Sequence, residues 1–212
     1  ATTGWNGKRL RAVGRDFLAI HTHPKDHAAY YPGAQTLAIK ILIDPKDGAI
    51  LGAQAVGAEG VDKRIDVIAT AMRAGLTATD LIDLELAYAP PFGSAKDPIN
   101  QLGYIAENRM SGLSESADWS EIEQLQTSGW KLLDVRTREE FAEGSIPGAT
   151  NVPVDELRDH LDDLRGSDYL VYCAVGQRAH VATQLLKAHG ISAKNLDGGW
   201  TTWRNTRTAR AL

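Results

Sequence analysis

The segment Met110-Ser111-Gly112-Leu113-Ser114-Glu115-Ser116-Ala117-Asp118 divides the chain into two stretches that follow different periodicities. It is small and polar, with poor helix and strand propensity, which is the composition of a linker. Charge also changes across it. Residues 1–113 carry 12 basic and 12 acidic side chains, and residues 114–212 carry 11 and 15, so the net charge of -4 lies entirely in the second stretch. At about 100–150 residues per domain, a chain of 212 residues with such a break reads as two small domains, residues 1–112 and 113–212.

In the first stretch, residues 15–22, 35–43 and 49–56 space their apolar side chains as strands do. Asp44-Pro45-Lys46-Asp47-Gly48 supplies turn chemistry between the last two, which predicts an antiparallel hairpin with a third strand pairing nearby. Over residues 60–74, Val61, Ile65, Ile68, Ala69 and Met72 then recur at helical spacing up to Gly75. After Pro90-Pro91, residues 95–110 predict another helix, with Pro98 tolerated in its first turn. Strands followed by helices predict an α+β layer: an antiparallel sheet covered by helices.

The second stretch alternates. Residues 119–127 read as helix, 131–135 as strand, 138–143 as a helical turn, 154–164 as helix, 169–173 as strand, 177–189 as helix, 193–196 as strand and 200–204 as a last turn. Such alternation over about 100 residues predicts a small α/β domain with a mostly parallel sheet. Functional groups in such sheets gather at the carboxyl ends of strands, where Cys173 falls.

Composition removes several alternatives. One cysteine in the chain forms no internal disulfide and no multi-cysteine metal site. No apolar run approaches the roughly 20 residues needed to span a bilayer, and mild acidity argues against nucleic acid as a partner. The expected setting is the cytoplasm. Neither G-x-G-x-x-G after a strand nor G-x-x-x-x-G-K-[ST] occurs, so no nucleotide fingerprint is present. The opening Ala1-Thr2-Thr3-Gly4 lacks both a Met and a signal-like apolar region, which leads us to expect a piece of a longer polypeptide.

Tyr169-Leu170-Val171-Tyr172 reads as a buried strand leading into Cys173-Ala174-Val175-Gly176-Gln177-Arg178 and then a helix. A thiol at the start of such a loop faces loop N–H groups and the positive end of the helix dipole, both of which stabilise a thiolate. Gly176 permits a backbone angle that a side chain would obstruct, and Arg178 adds positive charge. A lone cysteine is as readily a small core hydrophobe, and on the loop alone the two readings carry even weight.

Neighbouring motifs tip that balance: Leu133-Asp134-Val135-Arg136, Glu139-Glu140-Phe141, Gly144-Ser145-Ile146-Pro147-Gly148-Ala149-Thr150-Asn151-Val152-Pro153, and Leu196-Asp197-Gly198-Gly199-Trp200. In this order, with the cysteine loop between them, they resemble the rhodanese-type sulfurtransferase domain over about residues 114–205. The resemblance implies a six-position active loop in which Cys173 carries sulfane sulfur as a persulfide, cradled by the amides of Ala174, Val175, Gly176 and Gln177, with Arg178 closing the loop. It also implies a structural role for Asp134 and a role for Arg136 in attracting an anionic donor. Phosphatases of related fold use a loop one residue longer, so this spacing favours sulfur. The sequence departs from the family at Ser145, where histidine is common, and within Ala174-Val175-Gly176-Gln177, where a serine often precedes the glycine.

In the first stretch, His27-Ala28-Ala29-Tyr30-Tyr31-Pro32-Gly33-Ala34 and the string from Leu84 through Ala87-Tyr88-Ala89-Pro90-Pro91-Phe92-Gly93 to Asn100 resemble the C-terminal dimerisation domain of the flavin-dependent pyridine nucleotide–disulfide oxidoreductases, in the coenzyme A-disulfide reductase and NADH oxidase branch. This resemblance covers about residues 5–110. It implies a homodimer in which Tyr88 and one of Tyr30 or Tyr31 assist thiol chemistry beside the flavin of the opposite subunit. FAD and NAD(P)H are then expected on other domains of a full-length parent, with no cofactor bound by this fragment itself. The substrates implied are small thiols, persulfides or polysulfides. Read without the resemblance, the tyrosines are ordinary interface aromatics.

The cluster His21-Thr22-His23-Pro24-Lys25-Asp26-His27 invites a metal reading, but Pro24 breaks the alternation and no Cys or Glu supports it, so a polar loop and no metal is expected. Trp119, Trp130, Trp200 and Trp203 are expected to pack. Two functions remain open at this point. One is an enzyme whose rhodanese domain exchanges sulfane sulfur with a reductase centre, and the other a sulfur-carrier or docking module joined to a dimerisation element.

Overall fold

Ile39, Ile41 and Ile43 alternate along one strand, and in the computed structural model, which describes residues 1–210, that strand runs through the middle of the first sheet. The chain divides into two compact units, Ala1–Ser111 and Gly112–Leu212. The first holds β1 (Thr2–Gly4), α1 (Gly7–Ala12), β2 (Leu18–Thr22), β3 (Ala38–Ile43), β4 (Ile50–Val56), α2 (Val61–Ala74) and α3 (Pro98–Met110). Its four strands are antiparallel in the order β1-β4-β3-β2, with Ile41 opposite both Ile20 and Ala53. The odd-numbered isoleucines of β3 face the core made with Ile65, Ile68 and Leu102 of the helices, while Leu42 and Leu51 turn to the other face and meet Leu10 of α1. Each such fully buried side chain contributes about 1.5–3 kcal/mol.

The helix ends follow local chemistry. Helix α2 stops at Gly75, whose left-handed backbone returns its N–H to the carbonyls of Ala71 and Met72. Helix α3 begins at Pro98 rather than at residue 95, because Asp97 caps it: the Asp97 side chain accepts from Ile99 N–H, and the Asn100 side chain accepts from Asp97 N–H. Strand β1, helix α1 and a 3-10 turn at Thr79–Asp83 are additions to the elements expected from sequence.

The second unit contains β5 (Ser116–Ala117), α4 (Ile122–Thr127), β6 (Lys131–Asp134), α5 (Arg138–Ala142), β7 (Ala149–Asn151), β8 (Tyr169–Tyr172), α6 (Gln177–Ala188), β9 (Ala193–Leu196) and α7 (Gly199–Arg210). All pairings in its five-stranded sheet are parallel, in the order β5-β9-β8-β6-β7. Leu133, Val171 and Ala193 pack on one face with Ala182 and Leu186 of α6, while Leu132, Leu170 and Leu196 pack on the other with Ile122 and Trp200.

Three sequence expectations are corrected here. Part of the segment read as linker is a strand, since Ser116 and Ala117 pair with Asn195 and Leu196. Residues 154–164 form no α-helix, only a 3-10 turn at Leu157–His160, because Asp155, Asp159, Asp162 and Asp163 favour turns over a continuous helix. The short final turn is instead the helix α7.

Candidate functional site

Cys173 follows β8, whose four residues are all buried, and is itself 2% exposed. The Gly176 N–H donates to its Sγ at 3.2 Å. Gly176 reaches this position with φ +99, in the region that favours glycine, and its carbonyl starts helix α6 by accepting from His180 N–H at 2.9 Å. A second glycine carries the loop from below. The N–H groups of Trp200 and Thr201 donate to the Cys173 and Ala174 carbonyls, each at 2.9 Å. That approach requires Gly199: a Cβ there would lie inside contact distance of the Cys173 carbonyl oxygen and 3.1 Å from the Ala174 carbonyl carbon. Cys173 Sγ thus meets the N-cap residue of α6, at the positive end of that helix's dipole.

Arg178, in the first turn of α6, donates from two nitrogens to Glu140 of α5 at 2.7 and 2.8 Å. This clamp lowers the Glu140 carboxyl to about 2 and raises the Arg178 guanidinium, to which Cys173 also contributes. Glu140 Oε2, one of the two oxygens Arg178 contacts, also accepts from Thr137 N–H in the cap of α5. Sequence reasoning singled out Arg178 but assigned Glu140 no role.

Asp134 and Arg136 lie at the carboxyl end of β6, next to β8. Both are buried. The Arg136 guanidinium contacts both Asp134 oxygens, at 2.7–3.0 Å, and donates to the Gly144 carbonyl at 2.6 Å. It also stacks over the rings of Trp200 and Tyr172, at 4.9 and 5.7 Å. These bonds tie Arg136 to β6 and the following turn. Burial pushes the adjacent Tyr172 phenol up, and its hydroxyl accepts from Ile146 N–H at 3.1 Å.

In the first unit the loops after β2 and before α3 meet, with Ala28 N–H donating to Gly93 O at 2.9 Å. This brings Tyr30 and Tyr88 together, their hydroxyls 2.8 Å apart, and the bond to Tyr88 raises the Tyr30 phenol. Both rings are exposed, Tyr30 by 76% and Tyr88 by 49%. Tyr31 turns elsewhere and sits edge-on to His27. Beneath the loops, Arg64 of α2 is 1% exposed, bonds both Asp97 oxygens and donates to the Asp26 carbonyl at 2.6 Å. Among the described residues no three His, Cys, Asp or Glu side chains group as a metal site.

A parallel sheet ending in a cysteine loop closed by arginine, after an antiparallel α+β unit with a paired-tyrosine surface, defines two known domain types in tandem. Residues 1–98 match the pyridine nucleotide-disulphide oxidoreductase dimerisation domain and residues 118–206 the rhodanese-like domain, so the chain carries these two domains in tandem. It is 46% identical over 92 residues to a coenzyme A disulfide reductase of Staphylococcus aureus (strain bovine RF122 / ET3-1), covering 43% of this chain and 21% of that one. Among solved structures, reduced CoADR-RHD of Bacillus anthracis matches with TM-score 0.95 and 43% identity, covering 99% of this chain and 38% of the other. An NAD-dependent persulfide reductase from A. fulgidus matches with TM-score 0.85 and 36% identity, over 96% and 37%. The chain therefore spans about a fifth of the curated relative and under two-fifths of the solved chains. No helix among the described residues is long and apolar enough to cross a membrane.

Proposed function

We propose that this chain is the C-terminal part of a homodimeric disulfide, persulfide or polysulfide reductase, and that its rhodanese domain moves sulfane sulfur through a persulfide on Cys173. The observation that carries this reading is the Gly176 N–H directed at Cys173 Sγ, at a helix N-terminus one turn from the charged Arg178. In the step itself the Cys173 thiolate attacks the outer sulfur of a donor persulfide, R–S–S–H. The Sγ–S bond forms, the donor S–S bond breaks, and the electron pair leaves on R–S⁻. The proton stays on the transferred sulfur, so the exchange needs no external oxidant. The loop N–H and the helix dipole stabilise negative charge on sulfur before and after transfer.

In the full-length protein, FAD with NAD(P)H supplies the electrons for disulfide or persulfide reduction. The residues contributed here to that chemistry are Tyr30 and Tyr88, whose paired hydroxyls can donate a proton to a leaving thiolate across the dimer interface. Pairing with Tyr88 favours Tyr30 over Tyr31 for this role.

Intact-mass and peptide mass spectrometry after incubation with thiosulfate or a small-thiol persulfide tests the central step. The expected result is one added sulfur on the peptide containing Cys173 and none in Cys173→Ser. A wild-type chain that gains no sulfur from either donor refutes it. Release of that sulfur to a small-thiol acceptor identifies a transferase, and retention identifies a carrier. Sedimentation at micromolar concentration reads the dimer.

A further inference from the structure

Asn195 lies in β9, beside β8, and its Nδ2 donates to the Gly176 carbonyl at 3.0 Å. That carbonyl also accepts from His180 N–H at 2.9 Å, so both of its lone pairs are used. The acceptor fixes the orientation of the carboxamide, because the atom facing a carbonyl must be the nitrogen. The other end of the side chain is then exceptional: Asn195 Oδ1 is buried and has no hydrogen-bond partner.

A buried acceptor without a partner is destabilising, and an apolar residue of similar volume would avoid it. Stability alone does not account for asparagine here; the donor at Nδ2 does. Gly176 is the loop residue with the least intrinsic restraint, held at φ +99, and its N–H is the donor to Cys173 Sγ. Pinning its carbonyl with two donors, one from α6 and one from β9, fixes the rotation of the residue and with it the aim of that N–H.

We propose that Asn195 is a positioning residue for sulfur transfer, holding Gly176 so that its N–H addresses the sulfur on Cys173. The inference rests on Cys173 as the sulfur carrier. It adds that the cradle is set from the neighbouring strand as well as from the loop's own sequence.

The test uses the whole chain with Asn195→Leu and Asn195→Asp, the second nearly isosteric but lacking the donor. Amide hydrogen exchange followed by NMR reads the positioning directly. In both variants the Gly176 N–H is expected to exchange about tenfold faster, with Val171 and Tyr172 unchanged. Single-turnover sulfur loading, followed by mass, is expected to slow about tenfold with the half-saturating donor concentration unchanged. The thermal midpoint of Asn195→Leu should stay at or above the wild-type value, since an orphan acceptor has been removed. Unchanged Gly176 exchange in both variants overturns the proposal, as does loading altered only in its half-saturating donor concentration. A wild-type chain that takes no sulfur refutes Cys173 as carrier instead, and the Gly176 exchange rates then decide the positioning by themselves.

Discussion

Arg178 and Glu140 form a two-point ion pair that ties the helix behind the cysteine loop to the short helix after β6, across 38 residues of sequence. Because the pair holds Glu140 at about 2, well below the usual carboxylate range, Glu140 binds fewer protons in the folded chain than in the unfolded one. Its stabilisation is complete above about pH 4.5 and is lost as pH falls toward 2. Both side chains are about a third exposed, and solvent screening reduces the effect to roughly 1–2 kcal/mol. Glu140→Gln should therefore lower stability by that amount at neutral pH. The gap from wild type should shrink as pH falls through that window, which denaturant titrations at a series of pH values would read.

Gly199→Ala should be severe. The added Cβ meets the Cys173 carbonyl, and φ is +56, so a cost of about 2–4 kcal/mol with loss of sulfur loading is expected. Gly166→Ala is the control, with a similarly positive φ of +78 but open space around the Cβ, and should cost only about 1–2 kcal/mol. Calorimetry of the two variants separates backbone strain from collision with the loop.

Arg64→Met should destabilise the first unit by about 3 kcal/mol, because the buried Asp97 carboxylate loses its close ion pair and keeps only the Ile99 N–H and Lys63 at 3.9 Å. Adding Asp97→Asn should recover part of that loss. Amide exchange in β3 is the appropriate probe, since four of the five tryptophans lie in the second unit and fluorescence would miss the change.

Tyr88→Phe should let the Tyr30 phenol titrate lower, toward its ordinary value, because the bond that raises it is gone. Tyr31→Phe should leave that titration unmoved. NMR of the Tyr30 ring across alkaline pH gives the comparison, and equal titration in wild type and Tyr88→Phe would contradict the hydroxyl pair.

Much of this site is legible in the chain because it is written locally. Cys173, Gly176 and Arg178 occur within six residues, after an apolar strand and before a helix, and Asp134 and Arg136 end another strand. What escapes reading depends on distant partners. Glu140 looks like one of two adjacent helix-surface acids until the fold sets it against Arg178. Arg64 has the spacing of α2's buried face but the chemistry of its exposed one, and only Asp97 and the Asp26 carbonyl explain it. Adjacent Tyr30 and Tyr31 point to different neighbours because the loop backbone, not composition, decides which hydroxyl meets Tyr88. Strands β1, β5 and β7 are two or three residues long, too short for alternation to show, and exist through their pairing.

Strand β5 determines how the rhodanese unit can be cut free. Residues 113–117 are stitched to its far end: Asn195 and Asp197 N–H donate to Glu115 and Ala117, Gln184 reaches the Leu113 carbonyl, His180 meets Ser114, and Lys187 pairs with Glu115. The family match begins at residue 118, after that seam. A fragment started there would expose the open edge of β9 and release one side of the helix that follows Cys173, so an excision that keeps this seam begins near residue 113.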